Sequence, residues 1–217
     1  DSNLKDAIDL GMRLHQVEHR RDLRSVARAY AEETTGSVFV ERGGACPTAR
    51  FGVDQFVERH DLNRALIASG IRTLVVPCGT GTTAFFLRQS LDSSVDVVGV
   101  PVVGDSRYLR SQFEDLYRRC GDTARSDLFP RILRSTSRTV PFGQPRESFA
   151  RTRDRLRAAF ELDFDLLYAV PAWQSMLRAE SDDLPDHIAY LHCGGLEGNR
   201  TMIPRYVRAG WLCDDAG

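Results

Sequence analysis

The sequence predicts an α/β fold, a mainly parallel open sheet with flanking helices. Two near-continuous apolar runs, residues 71–78 and 95–100, read as strands buried on both faces. Between them stand the glycine-rich Gly79-Thr80-Gly81-Thr82-Thr83 and a helical stretch, residues 84–89, giving the order of a βαβ unit. Strand-like and helical stretches then alternate toward the C-terminus, as in a parallel sheet.

Residues 3 to about 34 have helical composition. Leu4, Ile8, Met12 and Leu14 mark one apolar face, and Leu23, Val26, Ala27 and Tyr30 a second. His19-Arg20-Arg21-Asp22 reads as the turn between them, and Gly36 as the stop. The organisation is thus a helical segment, 1–36, ahead of an α/β domain, 37–217. A short strand is expected at 37–41, a loop at Gly43-Gly44-Ala45 and Pro47, and a helix at 52–59. Beyond the second buried strand, Gly104-Asp105 leads into a helix over 106–119. Residues 120–147, with Pro130, Pro141 and Pro145, read as a long irregular connection. A helix near 146–160, a strand at 164–168, a helix at 173–178 and a strand at 188–192 complete the pattern.

Composition narrows the class. The 217 residues are 42% hydrophobic and 27% charged, the balance of a globular protein. A net charge of −1 gives no global field to gather nucleic acid or an anionic membrane. No apolar run approaches the roughly 18–20 residues that span a bilayer. The first residues show no secretory signal, and the chain does not begin with Met, which fits a cleaved organelle presequence or a truncated record. Five scattered cysteines without a CxxC pair argue against a disulfide framework or structural zinc. The expected compartment is reducing: a mitochondrial matrix, another organelle interior or the cytoplasm. Of the 29 basic residues, Lys5 is the only lysine. Chemistry that needs a lysine amine must use Lys5 or a lysine outside this chain.

Five patterns are candidates for chemistry. Strand, glycine turn and helix start at Gly79, Thr80, Gly81, Thr82 and Thr83 make an anion site, because free N–H groups and the helix dipole both favour negative charge there. The bland alternative is a simple turn with a Thr82 cap. No Gly-Lys-Ser/Thr is present, so a Walker A loop is excluded; Gly79-x-Gly81-x-x-Ala84 fits a loose dinucleotide fingerprint, with Asp105 as the ribose acid. His15-Gln16-Val17-Glu18-His19 matches a short zinc signature if helical, though a solvated face is the simpler reading. His192-Cys193-Gly194-Gly195, ending a strand, would face the crevice at the carboxyl edge of the sheet. Cys78, beside a helix start, is either a low-pKa nucleophile or a buried apolar residue. The arginine-dense stretches 20–28 and 151–157 lack stacking aromatics and read as solvated or subunit-contacting faces.

Taken together, the stretches 41–45, 74–84, 164–168 and 191–196 resemble the pyridoxal-phosphate enzymes of the 1-aminocyclopropane-1-carboxylate deaminase and D-cysteine desulfhydrase family, of fold type II. The resemblance covers roughly residues 36–208 and the later part of that fold. It implies that Gly79 to Thr83 hold the cofactor phosphate and that Gly43 and Gly44 lie in the loop leading into the cofactor domain. Tyr168 would sit near the pyridine ring, and His192, Cys193, Gly194 and Gly195 would line its far edge. Family members carry the Schiff-base lysine in a Gly-Asn-Lys motif, followed by a Ser-Asn-His loop; neither occurs here. Ala169 stands where deaminase-like members carry the carboxylate that pairs with the pyridine nitrogen, and Cys193 where a threonine is usual.

The leading expectation is therefore a degenerate member: a non-catalytic structural or interaction subunit of a larger complex or a homodimer, keeping the anion site and with pyridoxal phosphate possible. The alternatives are an active deaminase or lyase whose lysine lies outside this chain, and a nucleotide-binding Rossmann-like protein.

Overall fold

The computed structural model describes residues 3–134, 141–180, 183–185 and 187–213. Residues 135–140 of the proline-bearing connection lie outside the described residues. Four parallel strands form one sheet in the order β3-β2-β1-β4: β1 (Thr73–Cys78), β2 (Asp96–Pro101), β3 (Arg131–Ile132) and β4 (Ala189–Tyr190). Thr73 pairs with Asp96 and Cys78 with Pro101, so β1 and β2 run in register for their full length. β4 joins the other side of β1 at Leu74 and Val75.

The apolar runs form central strands because both their faces are covered. Leu74, Val76 and Cys78 point into one core, against Phe85 and Phe86 of α5 (Thr82–Ser90) and Leu109 and Phe113 of α6 (Ser106–Cys120). Val75, Val98 and Val100 point the other way, onto Ala172 and Met176 of α8 (Ala169–Met176). α3 (Ala49–Arg59) and α4 (Leu62–Ala68) extend the first layer, with Val57 and Leu66 buried. α7 (Glu147–Phe160) and α9 (Asn199–Arg208) extend the second, through Phe149, Leu156, Met202 and Tyr206.

The first 36 residues divide differently from expectation. α1 (Asn3–Asp9) ends before Gly11, and α2 (Leu23–Glu33) follows a single 3-10 turn at Arg20–Asp22. Residues 37–41 are not a sheet strand; they run outside the four-stranded sheet. Nor is 164–168 a strand. There the buried Asp165 carboxylate accepts the N–H groups of Leu167, Tyr168 and Ala169 at 3.0, 2.6 and 2.9 Å, which bends the chain into α8. A buried acid needs such donors, and satisfying them outweighs the apolar strand pattern.

α5 leaves β1 through Gly81, at φ +75. An added Cβ there would sit 2.5 Å from the Phe113 ring and 2.7 Å from Leu109. Both strain and overpacking oppose any side chain, at roughly 1–2 and 1–3 kcal/mol. Gly81→Ala should thus lower the stability measured by urea unfolding by about 3 kcal/mol. Gly44→Ala, at φ +61 in open space, is the control and should cost only the backbone strain. Equal losses for the two would contradict the packing argument.

Candidate functional site

Parallel strands send all their carboxyl ends to one edge, and a crevice opens where the strand order reverses. Here that point lies between β1 and β4, whose next segments leave in different directions. The loop after β1 and the loop after β4 therefore face each other across a cavity of about 450 Å³. Gly79, Thr80, Gly81, Thr82, Thr83, Tyr168, Cys193, Gly194 and Gly195 all line it. Nine of the ten residues expected at the site are thus brought together.

The helix start is open for an anion. The first main-chain turn of α5 closes with Phe85 N–H donating to Gly81 at 2.9 Å, which leaves the N–H groups of Thr82, Thr83 and Ala84 ahead of it. No side chain caps this end. The expectation of a Thr82 cap is thus replaced by a Thr80–Thr82 hydroxyl pair at 3.0 Å. Arg20 and Arg42 line the same cavity, and Arg42 also donates to the Tyr108 hydroxyl at 3.3 Å. Two arginines and the first turn of α5, with its three N–H groups outside the main-chain ladder, line one space, an arrangement that favours a phosphate or carboxylate.

Tyr168 stands over the glycine turn, its ring 3.2 Å from where a Gly79 Cβ would be, and Phe142 packs 5.2 Å from it. Burial and the neighbouring Asp165 push the Tyr168 phenol up, so it stays neutral. Asp165 lines the cavity too, and burial raises its pKa despite the three N–H groups it accepts. Cys193 is an exposed residue, yet its thiol is turned toward the Leu191 carbonyl at 3.7 Å. Burial of the sulfur, then Asp165, push that thiol up to about 11. Cys78 is buried and shifted upward by burial, so it is no nucleophile; its thiol donates to the Val76 carbonyl at 3.4 Å.

His192 is the member that does not line the cavity. Its Nδ1 accepts the Gly194 N–H at 3.2 Å, so Nε2 carries the proton and donates to the Asp163 carbonyl at 3.1 Å. Its ring stands edge-on to Phe164 at 5.2 Å. His192 shapes the Gly194–Gly195 turn from behind.

The other patterns resolve as structure. Residues 12–17 form no helix, so His15 and His19 do not share a face; His15 packs 4.6 Å from Tyr30, and no metal-capable cluster exists among the described residues. Asp105 caps α6 by accepting the Tyr108 N–H at 2.8 Å and does not line the cavity. Most of the two arginine stretches is ion-paired, Arg24 and Arg28 with Glu41, Arg151 with Glu147 and Arg153 with Asp163, while Arg20 lines the cavity. Sequence reading did not assign Arg20, Tyr108, Phe142 or Asp165 to the site. Only Asp165 left a local signal, an acid four residues before a helix that it caps.

With this geometry in view, one solved structure decides the architecture. The crystal structure of an ACC deaminase homologue matches with a TM-score of 0.76. The fold is ACC deaminase-like. The match covers 96% of this chain and 66% of that chain, at 20% identity, and at that identity the likeness is one of fold. No family model matches the sequence, and no curated protein is similar to it.

Within this ACC deaminase-like fold, Asp165 is a structural acid. Asp165→Ala should leave three N–H groups, that of Ala169 fully buried and the other two partly so, without this partner and cost about 3 kcal/mol in urea unfolding; a loss under about 0.5 kcal/mol, the scale of a surface change, would contradict it. The raised Cys193 thiol gives a second expectation. Its alkylation by iodoacetamide should climb about tenfold per pH unit from 7 to 10, because the thiolate is the nucleophile. A plateau below pH 9 would mean the sulfur is not shielded as described.

Proposed function

We propose that this chain holds a phosphate-bearing ligand of the pyridoxal phosphate type at Gly79 to Thr83, performs no pyridoxal chemistry with its own side chains, and serves as a non-catalytic interaction subunit. The observation that carries the reading is the uncapped start of α5, open to the cavity at the carboxyl edge of an ACC deaminase-like fold.

The residues fit the phosphate end of such a ligand and not its reactive end. Thr82, Thr83 and Ala84 offer N–H groups, the Thr80 and Thr82 hydroxyls add donors, and Arg42 and Arg20 add charge. Tyr168 supplies an aromatic wall. When bound, pyridoxal phosphate supplies an electron sink, which depends on an amine to hold it and a partner for the ring nitrogen. No lysine lines this cavity; Lys5 belongs to α1. Ala169 carries no carboxylate, and the Asp165 carboxylate is committed to three N–H groups. No step through the cofactor follows from these side chains.

Pyridoxine phosphate, which lacks the aldehyde, discriminates the readings. By calorimetry it should bind within about threefold of pyridoxal phosphate, since the phosphate and ring supply the affinity. Arg42→Ala should weaken both by about tenfold, or about 1.4 kcal/mol. A pyridoxal phosphate preference above about a hundredfold, with a borohydride-fixed adduct in the cavity, would instead support an active deaminase or lyase. Tight dinucleotide binding that is lost on Asp105→Ala would support the nucleotide reading, although Asp105 is occupied with its cap.

A further inference from the structure

The far wall of the cavity is the turn Cys193-Gly194-Gly195, and very little holds it. Gly194 and Gly195 both take positive φ, at +77 and +82, where glycine is free of strain. A Cβ on Gly194 would meet nothing within 4 Å, so packing does not fix this residue. β4 keeps its main-chain bond to β1 at Leu191, whose N–H donates to the Val75 carbonyl at 2.9 Å. The next main-chain bond is that of the Gly198 N–H to the Gly195 carbonyl at 3.0 Å. Between these two, among the described residues, the backbone of the turn makes one hydrogen bond: the Gly194 N–H donates to His192 Nδ1 at 3.2 Å. The position of the wall therefore depends on whether that nitrogen is bare.

It is bare because of how the ring is held. Neutral imidazole has one N–H and one acceptor nitrogen. Nε2 faces the Asp163 carbonyl at 3.1 Å, so the proton sits there and Nδ1 accepts. Protonated, both nitrogens are donors, and an Nδ1–H would meet the Gly194 N–H head on. The Asp163 carbonyl holds Nε2, and the buried Phe164 stands edge-on to the ring at 5.2 Å. Gly194, with open space around it, is the partner that gives way. The charged neighbours are few. Asp165 acts on His192 electrostatically, and its carboxyl carbon lies 3.5 Å from where a Gly195 Cβ would be. The Asp163 carboxylate pairs with Arg153 at 3.3 Å and Arg157 at 3.7 Å. The Cys193 thiol and the Tyr168 and Tyr190 phenols are all shifted upward by burial and stay neutral.

We infer that neutral His192 is the positioning residue of this wall: it holds the Gly194 turn in place, and when it gains a proton the turn is released and ligand binding weakens. The inference rests on the reading that Gly79 to Thr83 hold the ligand's anionic group, because Gly194 and Gly195 line the same cavity. An aromatic ligand anchored at α5 needs the opposite wall in place to be enclosed. By linkage, a site that binds better with His192 neutral sheds that proton as it fills. The sign is diagnostic. A positive charge on His192 would by itself attract an anion, so weaker binding at low pH marks movement of the wall and not the field of the ring.

Phenyl sulfate is the probe, an aromatic ring whose anionic group keeps its charge. Its affinity is measured by calorimetry, and the Gly194 amide by NMR, from about pH 8 to about pH 5, the range in which histidine changes charge. In the unmodified protein the affinity should fall about fivefold or more. The Gly194 amide should move with the same midpoint as the His192 ring protons. His192→Asn, whose Oδ1 takes the place of Nδ1 as acceptor, should bind equally at both ends of the range with its Gly194 amide unmoved. His192→Gln, which keeps only the donor toward Asp163, should bind throughout as the unmodified protein does at low pH. A pH dependence that persists in His192→Asn would assign the proton to Asp165 and overturn the inference. So would stronger binding at low pH in the unmodified protein, or a Gly194 amide that ignores the ring's titration. No binding of phenyl sulfate at any pH would count against the anion reading instead, and the Gly194 amide then decides this inference alone.

Discussion

The turn from β1 into α5 constrains everything else in the molecule. β1 is paired on both sides and buried on both faces, and seven of the nine residues of α5 are buried as well. The chain must pass from one to the other in three residues without a side chain at Gly81, because Leu109 and Phe113 already fill that space. A helix so enclosed cannot point its N-terminus at solvent in general. It points along the carboxyl edge of the sheet, where the unbonded N–H groups of its first turn are left facing the cavity. Core packing and ligand electrostatics are thus two consequences of one passage.

The rest of the site is built to keep that space open and polar. Asp165 bends the chain into α8, which sets Tyr168 against the cavity and buries Ala169 in the core behind it. His192 braces the Gly194 turn opposite. Both residues spend their hydrogen-bonding capacity on the backbone, which leaves little for a reacting ligand. The proposed role of holding a ligand rests on the arginine and N–H end of this cavity and on a lining without lysine.

How much of this was legible depends on how local the cause was. β1, β2, α5, α6 and α7 follow directly from apolar runs and helical periodicity, because their burial is nearly complete or cleanly one-sided. The segment 164–168 misled because its apolar pattern is that of a strand, while one buried acid decides the outcome by capping. β3 has only two residues inside a proline-bearing polar stretch, too few to show alternation. α9 holds Pro204 in its interior, where proline normally ends a helix, and it is kept by the burial of Met202 and Tyr206. At the site, the glycine–threonine loop was legible as a chain-order signal. Arg20, Tyr108 and Phe142 were not, since they arrive from three separate stretches and meet only in the fold. The single lysine carried its meaning in the sequence, beside the missing Gly-Asn-Lys motif; in the fold it belongs to α1 and does not line the cavity.

The central claim is that the first turn of α5 is an anion cradle. The most direct measurement is the backbone amide spectrum of the isotope-labelled protein during titration with inorganic phosphate. The account predicts saturable downfield shifts of the Thr82, Thr83 and Ala84 amide protons, with Asn199 and Arg200 at the start of α9 unmoved. Shifts spread over the surface arginines, with those three amides unchanged, would contradict it.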